Sequence, residues 1–272
     1  MLNNITLGQY YPVDSVVHAL DPRMKICLTV LMIICVFVSQ NLIGFLLILL
    51  FVIAASHLSK VPFRVMMKGL KPLRFILILT FLLNLFFTQG TELFHVWFIS
   101  VSREGLRQSI HYSLRLMFLV VSTSLMTLTT SPIALSDGLE MLLSPLKVIH
   151  FPAHELAMMM SIALRFIPTL LEETDKIMKA QKARGADFES GNLLNRAKAI
   201  IPLLVPLFVS AFRRAGDLAM AMESRCYHGG DHRTRLRVLK ITQNDLIALS
   251  VMCILLVLII LANTFVPKGL IL

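Results

Sequence analysis

The sequence predicts an all-α polytopic membrane protein with about five transmembrane helices and a large helical cytoplasmic insert. Three observations carry that prediction. Of the 272 residues 56% are hydrophobic and only 15% charged, with mean hydropathy +0.76, whereas a soluble domain has roughly 45–50% and 25%. Long uncharged runs recur along the chain. The net charge of +10 falls on alternate loops, as loop charge facing the cytoplasm does. Disorder, a collagen-like repeat and most soluble enzymes are excluded on these grounds.

The elements follow in order. The first 20 residues have neither a basic start nor a continuous apolar region, so no cleavable leader is expected. Ile26 to Val38 and Leu42 to Ser56 are uncharged runs divided by Ser39-Gln40-Asn41. Each is short for a hydrocarbon core of about 30 Å. They read as a tight hairpin of two spans or as one long kinked helix. Before them, Asp21 suits a helix N-cap with Pro22 as first helical residue. Phe75 to Thr88 is a third run, in which Asn84 is placed to bond a neighbouring helix. A fourth, about Ile110 to Thr130, holds His111 and Arg115 near its start. An ionisable group at that depth is either functional or snorkels to the interface. Leu246 to Val266 is the clearest span.

Orientation follows from the basic residues. Five spans with a cytoplasmic N-terminus place 22 of the 26 lysines and arginines on one side, leaving Arg103, Arg107, Arg115 and Lys268. The chain then divides into a membrane region at 1–130 with about four spans, a cytoplasmic coupling region at 131–240 and a last span at 241–272.

The insert is too long for a simple connection. Apolar residues from Leu156 to Leu171 recur at three- and four-residue steps, predicting a helix from Ala153 to Ala183 with a kink at Pro168 and a stop at Gly185. A second helix is expected from Leu193 to about His228, bent at Pro202 and Pro206. The ends resemble each other: Ala183-Arg184-Gly185 aligns with Ser224-Arg225-Cys226, 41 positions on. Each sets one arginine between small residues. Small flanks let a partner approach the backbone, and a guanidinium offers five donors in a rigid fork. A duplicated tip implies a duplicated acceptor, such as two homologous subunits. The plainer reading is that an arginine at a helix C-terminus complements the dipole.

Other signals are weaker. Met158-Met159-Met160 is a flexible apolar run suited either to exchangeable partners or to ordinary packing. His150 and His154 beside Glu155 lack the H-E-x-x-H order of a zinc site. Glu172, Glu173 and Asp175 read as a solvated face balanced by Lys176 and Lys179. Arg233, Arg235, Arg237 and Lys240 read as an anionic-lipid contact rather than a nucleic-acid site. Cys27, Cys35, Cys226 and Cys253 form no C-x-x-C pair, and neither a disulfide framework nor a metal site is expected. No G-x-x-x-x-G-K-[ST] occurs.

Taken in order, Gly8-Gln9-Tyr10-Tyr11-Pro12 with Ser15, His18-Ala19-Leu20-Asp21-Pro22-Arg23-x-Lys25, Leu164-Arg165-Phe166-Ile167-Pro168, Gln181-x-Ala183-Arg184-Gly185 and Ala219-x-Ala221-Met222-Glu223-Ser224-Arg225 resemble the transmembrane T component of energy-coupling factor transporters over nearly the whole chain. The N-terminal pattern is most like the shared, vitamin-transporting group. The family's second motif usually ends in glycine, where this chain has Cys226.

The resemblance implies a non-catalytic coupler in a prokaryotic cell membrane. Two cytoplasmic ATPases would bind ATP and magnesium, this chain would bind no cofactor, and a small membrane-embedded S component, possibly one of several, would hold the substrate. Arg184 and Arg225 would dock the ATPases, and Met158 to Met160 are candidates for S-component contact. The other function classes are an intramembrane enzyme, which needs a converging nucleophile and base, and a secondary transporter, which needs intramembrane ion-binding groups. Neither constellation is evident in the sequence.

Overall fold

The computed structural model describes residues 10–96, 99–149, 151–186, 188, 193–229 and 239–265. Gly8, Gln9, His150 and the run Arg233, Arg235, Arg237 lie outside them. The chain divides into two compact units. The described residues of the first are 10–96, 99–138 and 239–265, and those of the second are 139–149, 151–186, 188 and 193–229.

The first unit is a helical bundle. After the short α1 (Val16–Ala19) come α2 (Pro22–Val38), α3 (Leu42–Ser59), the short α4 (Phe63–Lys68) and α5 (Arg74–Phe87). A hairpin of β1 (Glu92–Val96) and β2 (Ile99–Ser102) leads to α6 (Arg103–Thr129) and the start of α7 (Pro132–Leu143). This antiparallel pair is the departure from an all-helical chain among the described residues. Ser39-Gln40-Asn41 does separate two helices, so the single kinked helix does not hold, and of the two only α3 is long and apolar enough to cross a membrane.

The remaining elements are α8 (Ala153–Ala183), α9 (Leu193–Glu223) and α10 (Gln243–Phe265). Helix α10 returns to the first unit and packs on α2 and α3, while α6 packs on α2, α3 and α5. The core is apolar and fully enclosed where these helices meet: Cys35, Val36, Ile48 and Ile259 have no exposed surface, with Phe45 and Phe118 stacked beside them. At the end where α2 begins, α7 lies so close to it that a Cβ on Gly138 would stand 2.9 Å from Pro22 Cβ.

Among the described residues, five helical segments are long and apolar enough to cross a membrane: Leu42–Ser59, Arg103–Thr129, Ala153–Ala183, Lys198–Glu223 and Gln243–Phe265. The count matches the expectation but the membership differs. Helix α2 has 17 residues and α5 has 14, about 21 Å of helix for the latter, while α8 and α9 qualify by length and composition. The sequence places residues 131–240 in the cytoplasm because 15 lysines and arginines lie there, mixed with apolar residues. Averaged over 18 residues, their apolar stripes outweigh those charges.

In the second unit, α7 ends and a 3-10 turn (Ser144–Ile149) leads to α8. Helices α8 and α9 each have 31 residues, about 46 Å, and continue through Pro168, Pro202 and Pro206. They run antiparallel. Gln181 Nε2 donates to Pro202 O at 3.4 Å, Arg214 Nη2 lies 2.9 Å from Glu173 Oε2, and the Ser210 hydroxyl donates to Glu173 Oε1. Glu173 thus faces α9 rather than lying on a purely solvated face.

Candidate functional site: two arginine-capped helix ends

Helices α8 and α9 end in the same backbone figure. At α8 the Ala186 amide donates to Gln181 O at 3.0 Å and the Gly185 amide to Lys182 O at 3.0 Å, with Gly185 at φ +88°. At α9 the Tyr227 amide donates to Met222 O at 3.0 Å and the Cys226 amide to Glu223 O at 2.8 Å, with Cys226 at φ +56°. Each is a Schellman cap: one 6→1 bond, one 5→2 bond and a left-handed residue after the helix. Arg184 and Arg225 occupy the cap position itself, so the sequence match is a match of geometry. Helix α9 stops at Glu223 rather than near His228, because the left-handed turn at Cys226 ends the ladder earlier.

The family-typical glycine now has a physical reason. A residue with a Cβ in the left-handed region is strained by about 1–2 kcal/mol, and Cys226 carries that strain where Gly185 does not.

Ala183, Arg184, Gly185, Ser224, Arg225 and Cys226 are all exposed. Among the described residues, neither guanidinium forms a hydrogen bond or ion pair. Because the helices are antiparallel, the two arginines lie at opposite ends of the pair. Beside Arg225 a cleft of about 620 Å³ is lined by Arg165, Met158, Ile162, Met222, Tyr227 and His228, so a second guanidinium converges on the same tip. Met158 belongs to this cleft, whereas Met159 and Met160 are exposed. The sequence quoted Arg165 only within a motif, with no hint that it lines the same cleft as Arg225.

The N-terminal motif does structural work in the first unit. Asp21 caps α2, its carboxylate accepting from Arg23 N at 2.9 Å and from Arg23 Nη2 at 2.8 Å, with Pro22 as first helical residue as expected. The Arg23 hydrogen bond holds the Asp21 carboxyl below its usual pKa. Arg23 also reaches Leu239 O at 3.2 Å, and the buried Lys25 Nζ donates to His18 O at 3.0 Å and Thr129 O at 2.8 Å, closing the C-terminus of α6. His18 lies between Tyr11 O, 3.0 Å from Nε2, and the Ser15 hydroxyl, 2.7 Å from Nδ1. Burial lowers its pKa.

The residue that sequence reasoning missed is Asp245, fully buried at the start of α10. Its carboxylate accepts from Thr242 N at 2.7 Å, Thr242 Oγ1 at 2.7 Å and Asp21 N at 2.8 Å. One side chain therefore ties the first turns of α2 and α10. The Thr-x-x-Asp spacing was the available signal, since an acidic residue three after a threonine forms a capping box.

At the other end of the bundle, Arg115 Nη2 reaches Ser39 O at 3.4 Å and Phe37 O at 3.5 Å and lies 2.9 Å from His111 Nε2. It caps α2, which is the structural reading of that cation. Asn84 bonds Thr80 O within its own helix at 2.8 Å, not a neighbour. His154 Nδ1 lies 2.9 Å from Glu140 Oε1. Among the described residues no three His, Cys, Asp or Glu side chains gather at one point.

Residues 14–236 match the family described as cobalt transport protein, CbiQ. Curated relatives named energy-coupling factor transporter transmembrane protein EcfT include that of Thermosediminibacter oceani, 56% identical over 247 residues, 91% of this chain and 93% of the relative. That of Clostridium kluyveri is 54% identical over 250 residues (91% and 93%), and that of Bacillus subtilis 52% over 246 residues (90% and 93%). With its helical membrane architecture and its paired arginine caps, the chain belongs to the CbiQ/EcfT family of transmembrane transporter components, which is not a family of enzymes.

Proposed function

We propose that this chain is the coupling subunit of an energy-coupling factor importer. In this reading it carries ATP-driven motion from two cytoplasmic ATPases to a membrane-embedded, exchangeable S component, for uptake of vitamins or other micronutrients. The observation that carries the reading is the pair of identical Schellman caps at opposite ends of α8 and α9, each presenting an exposed arginine without a partner among the described residues. Two equivalent acceptors, one per ATPase, match two equivalent tips. Each guanidinium suits carboxylates or helix C-terminal carbonyls in a groove, and the small neighbours let that groove close on the backbone.

The distribution of basic residues supports a cell membrane placement with the N-terminus and residues 131–240 on the cytoplasmic side. ATP and magnesium would be held by the ATPases, since the chain lacks a phosphate-cradling loop, and the chain itself would bind neither cofactor nor nucleic acid. Closure of the ATPase pair would displace both tips, and 46 Å helices would transmit that displacement as levers. Met158 in the cleft and the exposed Met159 and Met160 are assigned to partner contact, with thioethers accommodating more than one S component. Substrate specificity then resides in the S component.

The test is capture of the ATPases by affinity-tagged chain from membranes. Arg184→Glu with Arg225→Glu should abolish co-purification of both ATPases while leaving membrane insertion intact, and each single change should weaken it. Full ATPase recovery by the double variant refutes the docking assignment.

A further inference from the structure

The 41-residue offset relating Arg184 to Arg225 extends back along both helices. It relates Met160 to Ile201, Leu164 to Val205, Ile167 to Phe208 and Leu171 to Phe212, apolar to apolar each time. The same offset relates Glu173 to Arg214, where the charge inverts, as it also does from Glu172 to Arg213, Lys176 to Asp217 and Lys182 to Glu223.

In an antiparallel pair of related helices, equivalent positions meet only at the centre of the crossing. Elsewhere each residue faces a non-equivalent one, as Gln181 faces Pro202. Glu173 and Arg214 are equivalent and in contact, at 2.9 Å. They therefore mark a local two-fold axis through the α8–α9 pair. Eleven residues separate Glu173 from Arg184 and eleven separate Arg214 from Arg225, about 16 Å of helix on each side. Two glutamates or two arginines in contact on that axis would repel, whereas Glu173 and Arg214 attract. Ser210 completes the contact by donating to the other Glu173 oxygen.

The side chains of Arg214 and Glu173 remain 39% and 23% exposed. An ion pair so open to water adds little to stability, so its effect lies in fixing the register of one helix against the other.

We propose that Glu173 and Arg214, with Ser210, form the fulcrum of the two levers. The pair holds α8 on α9 midway between the tips, so that displacement of one arginine cap is returned as displacement of the other. These are positioning residues, and the inference rests on the docking reading above.

The test uses the complete transporter, with ATPases and a riboflavin-binding S component, reconstituted in liposomes and read as tritiated riboflavin taken up per ATP hydrolysed. Glu173→Arg and Arg214→Glu should each retain both ATPases on purification and lower that ratio at least about fivefold, with thermal stability within about 2 °C of the parent. The double exchange should restore the ratio to within about twofold, which a merely structural role would not require. An unchanged ratio in both single variants overturns the fulcrum, as does a double exchange no better than the singles. If the reversals fail to assemble, Glu173→Gln, which keeps the shape and the Ser210 acceptor, decides: a drop of about twofold supports the proposal and no drop overturns it. The Arg184/Arg225 capture experiment reads docking separately. Lost capture there with unaltered coupling in the fulcrum variants rejects the fulcrum alone, while retained capture rejects the docking reading.

Discussion

The two units handle apolar and polar surface in opposite ways. In the first, the meeting faces of α2, α3, α6 and α10 bury Cys35, Val36, Ile48 and Ile259 completely, and helix ends are tied by buried polar side chains, Asp245 above all. In the second, α9 buries only Leu203 among its described side chains, while Val205, Phe208 and Phe212 are 57%, 61% and 74% exposed. Its contacts with α8 include open polar bonds around Glu173. The first unit is stabilised by its own interior. The second has no such interior along α9; its open apolar face, like the outer faces of α5 and α10 in the first, carries a hydrophobic cost that only lipid or a partner offsets. A rigid anchor joined to helices with unused surface is the arrangement expected of a coupler.

The comparison breaks most readily at Asp245. Asp245→Ala would strand the buried Asp21 amide, at roughly 1–3 kcal/mol for a buried donor, and remove the acceptor of the Thr242 amide and hydroxyl. A loss of about 3 kcal/mol, or roughly 10 °C in thermal unfolding in detergent, is expected. Phe212→Ala on the open face of α9 should change the same midpoint by no more than about 0.5 kcal/mol. Equal losses at the two positions would contradict the contrast between the units.

A smaller effect distinguishes the two tips. Cys226→Gly removes the left-handed strain and should stabilise the end of α9 by about 0.5–1 kcal/mol. Hydrogen exchange at the Tyr227 amide, which donates to Met222 O, should slow by roughly two- to fivefold. Gly185→Ala should do the reverse at the end of α8. Faster exchange in the glycine variant would contradict the strain argument.

The smallest effect is with pH. Burial lowers the folded-state pKa of His18 below its usual 6.5, so below that value the unfolded chain binds more protons than the folded one. The stabilising contribution is complete above about pH 6.5 and is lost as pH falls through that value towards the folded pKa. The unfolding midpoint should therefore decline between pH 7 and pH 5.5, and His18→Gln should flatten the slope. Asp21, held down by Arg23, adds a second decline only below about pH 4. A midpoint that rises on acidification from pH 7 to pH 5.5 would oppose the His18 assignment.

Much of this was legible in the residues. The Ser39-Gln40-Asn41 break, the Asp21-Pro22 cap, the limits of α8 and the likeness of Arg184 to Arg225 all follow from local chemistry, because caps and turns are decided within four or five residues. The partners of Glu173 and Asp245, and the cleft that Arg165 lines, were not legible. Periodicity reports which residues share a face of one helix and is silent on what that face meets. Glu173 read as solvated because its nearest cations in sequence are Lys176 and Lys179, yet it pairs with Arg214 on the next helix. The hairpin before α6 was also missed, lying between two strong apolar runs that dominated the reading.

The sequence by itself determined a membrane-embedded helical chain with two arginine-tipped helix ends, since transfer of apolar side chains and capping of orphan backbone groups are local free energies. Only the tertiary structure decided that those ends point opposite ways, that one ion pair stands midway between them, and that Asp245 ties the first helix to the last. Those depend on which helix packs against which, and the packing is settled by the whole set of apolar faces together.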